Sequence, residues 1–304
     1  MSENIETQTG LSIPKIPVLM GPTGSGKTAA SVQVASVYPD RFEVVNCDSR
    51  QLYRGLEITT AAPDNLERKA IVHHLVSTLG PEQETTAYAY RNAARQAIDG
   101  ILERNRIPLL VVGTGFYFKV LRTNLTELDV GEEVKARVRA IPESRRAQEL
   151  RQIRPDLLAE AGGKIHSNDA YRIERALQMA FAPVRPEPAP ALPFSFRAFY
   201  LDIPVEQLTQ RLFERAGGMI DGMIGEIRAV HAEFGDCPGL RSLGVQLVRE
   251  FLAGQFSREE LIEKVWISHR QYAKRQRTWF RREIIERSGS VADFVAWVRL
   301  FVDP

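Results

Sequence analysis

The stretch Ile16-Pro17-Val18-Leu19-Met20-Gly21-Pro22-Thr23-Gly24-Ser25-Gly26-Lys27-Thr28 orders the reading of everything after it. Ile16 to Met20 is a short apolar strand candidate. Gly21-Pro22-Thr23-Gly24-Ser25-Gly26-Lys27-Thr28 fits the G-x-x-x-x-G-K-[ST] phosphate-binding loop. A helical pattern runs on from Lys27 to about Val37. In such a loop the glycines let several backbone N–H groups turn inward, and the helix N-terminus adds a positive dipole end. Lys27 supplies charge to the outer phosphates, and the Thr28 hydroxyl suits Mg²⁺. The expected ligand is a di- or triphosphate.

Outward from the loop, apolar segments alternate with helical ones. Phe42 to Cys47 predicts a second strand, ending at Asp48. Residues 86–105 predict an amphipathic helix, with Tyr90, Ala94, Ala97, Ile98, Ile101 and Leu102 on one face. Ile107 to Val112 is continuously apolar, as a buried parallel strand requires, and runs into Gly113-Thr114-Gly115. This alternation predicts an α/β fold, a P-loop NTPase-like parallel sheet with helices on both faces. Ligands then collect at the carboxyl ends of the strands, where the loop, Asp48 and Thr114 fall.

Beyond Thr123 the pattern changes. Residues 130–182 are charged and helical, without a strand candidate. A Pro-rich linker follows from Pro183 to Pro193, then Phe196 to Leu201 predicts a strand returning to the sheet, and 205–285 is helical again. The expected organisation is a disordered leader at 1–13, one core built from 14–125 and 194–304, and a helical insertion with its linker at 126–193.

Composition narrows the class. The chain has 304 residues, 44% hydrophobic and 26% charged, as a globular protein does. Its two cysteines, Cys47 and Cys237, argue against a disulfide framework and fit a reducing, cytoplasmic setting. No apolar run approaches a membrane span, and no Cys/His cluster has structural-zinc spacing. Net charge is only +2, so nucleic-acid binding would have to come from local patches.

Three local features bear on chemistry. Asp48 leaves strand two facing the loop, where a carboxylate can accept a proton or assist a metal; on position alone a helix N-cap fits equally well. Arg211 and Arg215 share a helix face and are placed either to clamp phosphate or to sit in solvent. Between Lys264 and Arg282 there are seven Lys/Arg and no Asp/Glu. Arg270, Lys274, Arg277 and Arg281 form one stripe, and Val265, Tyr272 and Trp279 another. A stripe without interspersed acids suits a polyanion such as nucleic acid, with a solvated face as the alternative. Arg172 and Arg175 add a smaller basic spot in the insertion. Strand three ends in a hydroxyl, not the Mg²⁺-holding acid usual in phosphate-loop ATPases.

These residues together resemble the tRNA dimethylallyltransferases, also called tRNA isopentenyltransferases. The likeness runs from Ile16 to Arg282. It rests on the loop at 21–28, Asp-Ser-Arg-Gln-Leu-Tyr-Arg-Gly at 48–55, His73-His74-Leu75, Arg106-Ile107-Pro108, Gly113-Thr114 and Tyr117-Phe118-Lys119. Ile165-His166, Asn168-Asp169 and Arg172…Arg175-Ala176-Leu177 continue it, as do Arg270 to Gln276 and Thr278-Trp279-Phe280-Arg281. The chain departs from the family pattern at Val112, where Gly is usual, and at Val245-Gln246, where Tyr-Arg is usual. The resemblance implies transfer of a dimethylallyl group from dimethylallyl diphosphate, with Mg²⁺, to an adenine 3′ of the anticodon in a tRNA anticodon stem-loop. It implies that Asp48 is the general base, Thr114 touches the adenine, and Arg215 and Thr23 act on the diphosphate held by residues 21–28. It places tRNA contacts at Asp48, Ser49, Arg50, Gln51, Thr114, Tyr171, Arg172, Arg175 and Arg241. The basic stripe, Arg270, Lys274, Arg277 and Arg281, joins them. A monomer without membrane attachment is expected. The competing readings are a phosphate-loop small-molecule kinase, a prenyltransferase acting on free adenine nucleotides, and an RNA-binding regulator switched by nucleotide.

Overall fold

The computed structural model describes residues 13–123, 130–161, 163–182 and 191–302. The expected leader at 1–13, the 125/126 boundary and most of the Pro-rich linker lie outside the described residues. Contacts divide the chain into two compact units, one within Met1–Thr123 and Ala191–Pro304, the other within Asn124–Pro190.

The first unit holds a six-stranded sheet: β1 (Lys15–Met20), β2 (Phe42–Cys47), β3 (His73–His74), β4 (Ile107–Val112), β5 (Ser195–Leu201) and β6 (Arg287–Gly289), in the order β3-β2-β4-β1-β5-β6. Every pairing is parallel, as the alternating pattern predicts. Its helices are α1 (Lys27–Val37), α2 (Glu57–Thr60), α3 (Asn65–Ala70), α4 (Ala87–Glu103) and α5 (Gly115–Arg122). The second unit carries α6 (Gly131–Ala140), α7 (Glu143–Ile153) and α8 (Ala170–Phe181). The first resumes with α9 (Val205–Phe234), α10 (Val245–Leu252), α11 (Arg258–Phe280) and α12 (Val291–Val298).

The central strands are buried on both faces, and alternate side chains enter two separate cores. Ile16, Val18, Met20, Val45, Cys47, Leu110 and Val112 pack with Ala94, Ile98 and Ile101 of α4 and with Tyr117 and Phe118 of α5. Leu19, Val44, Leu109, Val111, Phe199 and Leu201 pack with Ala30 and Val34 of α1 and with Phe294, Trp297 and Val298 of α12. A third core joins α9, α10 and α11 around Ile220, Met223, Ile227, Val248 and Val265. The second unit has its own core of Val138, Leu150, Leu158, Ile173 and Leu177.

Two edge strands escape the sequence reading. β3 is two residues long and polar, and His74 is fixed by the buried carboxylate of Glu43 at 2.6 Å. β6 reads Arg-Ser-Gly and pairs at the opposite edge with Phe199, Tyr200 and Leu201. Neither contains an apolar run to signal it.

Strand register sets the site. Met20 is level with Val112, and Val112 with Cys47. The next residues, Gly21, Gly113 and Asp48, therefore leave the sheet side by side. With β4 between β1 and β2, two steps of strand spacing put the start of the loop about 10 Å from Asp48.

Candidate active site

The loop from Gly21 to Thr28 curls because Gly24 and Gly26 take φ of 79° and 93°, a region L side chains rarely adopt. Gly24 also meets α9 closely: a Cβ there would lie 2.9 Å from Leu212 Cδ2. α9 thus packs directly on the loop, and Arg215, one turn beyond Leu212, points its guanidinium 3.4 Å from Thr23 Oγ1. Lys27 Nζ turns back to donate to the carbonyls of Gly21 and Pro22, at 2.8 and 3.0 Å. The Ser25 hydroxyl is buried with no hydrogen-bond partner. It packs against Gly21 on the side of the loop away from the cavity.

Across from the loop, Asp48 Oδ1 accepts the Arg50 N–H at 3.0 Å. No helix starts here, so the N-cap alternative is corrected: the carboxylate instead ties the turn at 48–51. Its other oxygen packs on Gly113, where a Cβ would approach Oδ2 to 2.1 Å. Any side chain at 113 would displace the carboxylate. Thr114 Oγ1 accepts the Ser49 N–H at 3.1 Å, and Thr114 N–H donates to Cys47 O at 2.9 Å. Gln276 of α11 joins the two sides, accepting Thr23 N–H at 2.7 Å and donating to Gly113 O at 2.8 Å.

These groups line one cavity of about 1350 Å³. Its electrostatics follow from withdrawal of charge from water. Burial lowers the Lys27 ammonium to about 8, with Asp48 working against the shift and Arg215 adding to it. Burial raises the Asp48 carboxyl above its ordinary value, against hydrogen bonding from Arg50 and the charge of Lys27. The result is an anion cradle facing a carboxylate poised to take a proton. For a metal, the hydroxyl of Thr28 is a hard oxygen donor in the same cavity. Among the described residues no group of three or more His, Cys, Asp or Glu could hold a metal ion. That donor set fits a Mg²⁺ carried largely by ligand phosphates.

The expected site residues distribute unevenly. Thr23, Gly24, Gly26, Lys27, Thr28, Asp48, Ser49, Arg50, Gln51, Thr114, Arg215 and Arg241 line the cavity. Gly21, Pro22 and Ser25 shape the loop behind it, buried. Gln51 braces the wall by donating to Thr60 O and Ala61 O, at 3.3 and 2.8 Å. Arg270, Lys274 and Arg281 are exposed and Arg277 is half-buried, but none of the four lines the cavity. The cations of α11 that do are Lys264 and Arg275. Tyr171, Arg172 and Arg175 lie on α8 of the second unit; Tyr171 is 80% exposed, and Arg172 pairs with Asp169 at 3.4 Å.

Several cavity residues escape the sequence reading. Tyr272, read from sequence on the stripe with Val265 and Trp279, lines the cavity together with Thr114. His269 is buried, and burial next to Arg215 holds its imidazole near 4, hence neutral. Gln276 carries no signal in composition or periodicity. Val245, where the family pattern has Tyr, is a core residue at 2% exposure packed among α9, α10 and α11. Gln246 lines the cavity and bonds Glu250 at 3.0 Å.

Residues 51–283 match the family model described as IPP transferase. The chain is 37% identical over 285 residues to the tRNA dimethylallyltransferase of Koribacter versatilis, covering 90% of this chain and 92% of that one. It is 35% identical over 280 residues to the enzyme of the same name from Leptospira interrogans, covering 88% and 92%. Among solved structures, the full-length tRNA isopentenylpyrophosphate transferase of Bacillus halodurans superposes with a TM-score of 0.69 at 27% identity, covering 96% of each chain. A eukaryotic dimethylallyltransferase acting on tRNA superposes with a TM-score of 0.76 at 25% identity, covering 94% of this chain and 76% of the other.

Proposed function

The chain belongs to the IPP transferase family, and from that premise we propose that it transfers the dimethylallyl group of dimethylallyl diphosphate to the exocyclic amine of an adenine 3′ of the anticodon in tRNA. The observation that carries this reading is the pairing, in one cavity, of a phosphate loop with a carboxylate about two strand spacings away.

In the proposed mechanism the loop amides, Lys27 and Arg215 bind the diphosphate, with Thr23 between loop and arginine. Thr28 would hold a Mg²⁺, which when bound would supply further charge neutralisation to the leaving group. The C1–O bond of the dimethylallyl ester breaks as the adenine nitrogen bonds to C1. Diphosphate leaves with the electron pair of the broken bond. Asp48 takes the proton that the amine loses. The raised proton affinity of Asp48 suits it to that task, because an aromatic amine is a weak nucleophile and gains from a nearby base. Charge grows on the leaving group as the bond breaks, so the cations opposite are worth most in the transition state. Thr114, held by Ser49, orients the adenine. To reach these groups the adenine must leave its stack. Arg241, Lys264 and Arg275 at the cavity wall, with the outer cations of α11, receive the RNA backbone.

The test is incubation with labelled dimethylallyl diphosphate and unmodified tRNA, with ATP and free AMP as controls. Label in the tRNA supports the reading. Label in AMP alone moves the acceptor to free nucleotide, and phosphate transfer from ATP without prenylation supports the kinase.

A further inference from the structure

We propose that Gln276 is a positioning residue that fixes the spacing between the phosphate loop and Asp48, through one side-chain amide shared by two backbone loops. The inference rests on the reaction proposed above. The ladder hydrogen bonds between neighbouring strands end near Met20 and Val112. Beyond them no strand pairing ties the loop after β1 to the loop after β4. Gln276 supplies that connection. Its Oε1 accepts Thr23 N–H at 2.7 Å, and its Nε2 donates to Gly113 O at 2.8 Å. A donor on one side and an acceptor on the other admit one amide orientation only. The residue is 6% exposed, so water does not replace either bond readily.

Each tied residue touches a reacting group. Thr23 Oγ1 faces Arg215 at 3.4 Å. Gly113 lies against Asp48, close enough to exclude a Cβ. The line Arg215–Thr23–Gln276–Gly113–Asp48 therefore crosses the cavity from leaving-group side to base. Displacement at carbon needs nucleophile, carbon and leaving group aligned, and a misplacement near 1 Å can cost about 100-fold in rate. The hydrogen bonds of Gln276 go to Thr23 N–H and Gly113 O, not to the Lys27 ammonium or the Asp48 carboxylate, so its loss should leave binding largely intact.

The experiment compares full-length wild type with Gln276→Met, which keeps length and packing but loses both bonds. Gln276→Glu is the second variant; it can still accept from Thr23 but, when ionised, cannot donate to Gly113. Transfer to tRNA is measured at steady state, and binding of inorganic diphosphate by calorimetry. The expected result is kcat lowered about 10–100-fold in both variants. KM for both substrates and diphosphate affinity should stay within about threefold of wild type. A folded variant of either kind turning over within twofold of wild type overturns the proposal, as does a loss expressed only in KM. Wild type run alongside separates the two levels: no transfer by wild type defeats the function itself, whereas an active wild type with an unaffected Gln276→Met defeats only the role of Gln276.

Discussion

Asp48 and Lys27 face each other across the cavity with proton affinities displaced in opposite senses, upward for the carboxyl and downward to about 8 for the ammonium. This predicts a bell in kcat/KM against pH. On the acid side, activity falls as Asp48 protonates, at a higher pH than an ordinary aspartate because burial raises its affinity. On the alkaline side, the empty enzyme loses the Lys27 charge as pH rises through about 8, so diphosphate binds more weakly and with proton uptake. A pH series of kcat/KM, with calorimetry in two buffers, checks both limbs. Asp48→Asn should lower turnover about 10²–10⁴-fold while tRNA binds nearly as in wild type. Asn can still accept the Arg50 N–H, so the turn survives; a loss under tenfold would reduce Asp48 to a turn residue. Arg215→Ala should lower kcat more than it raises KM for dimethylallyl diphosphate, because its charge opposes charge that develops on departure. Steady-state kinetics giving a raised KM with unchanged kcat would remove Arg215 from the clamp.

At the scale of elements, α11 has two working faces. Leu261, Val265, His269, Ala273, Gln276 and Phe280 are buried, while Arg270, Lys274 and Arg281 stand in solvent. The 3.6-residue period in the sequence announces an amphipathic helix and its positive stripe, but a one-dimensional pattern does not say which edge of the apolar face borders the cavity. That is why periodicity places Tyr272 only on the apolar stripe and gives Gln276 no role. Strands β1 and β4 are plain in the sequence, since apolar runs leading into glycine-rich turns have few other readings. β3 and β6 lack such runs and exist because a neighbouring strand offers them an edge. Asp48, Thr114 and the loop share a strand-end position that the βα alternation already implies; Lys264, His269 and Arg275 come from a helix packed over the sheet, and only tertiary packing places them there. For α11 the account predicts that Lys274→Glu with Arg277→Glu weakens tRNA binding and flattens its log–log salt dependence by roughly 1.4–1.8, at about 0.7–0.9 per lost phosphate contact. Dimethylallyl diphosphate affinity should not move, because neither residue lines the cavity. Unchanged tRNA affinity across a salt titration would return the stripe to solvated surface.

For the whole molecule, an all-parallel sheet brings the phosphate loop, the Asp48 turn and the Thr114 turn level at one edge, and α9 and α11 lay Arg215 and Gln276 over them. Among the described residues no helix is long and apolar enough to cross a membrane. The central claim is that diphosphate departure and adenine attack occur in this single cavity. It is tested most directly by offering two anticodon stem-loops with doubly labelled dimethylallyl diphosphate, one bearing adenosine 3′ of the anticodon and the other guanosine there. The account predicts prenyl label in the adenosine stem-loop only, with one diphosphate released for each label transferred. Equal labelling of both stem-loops, or diphosphate release with no label in either, would contradict it.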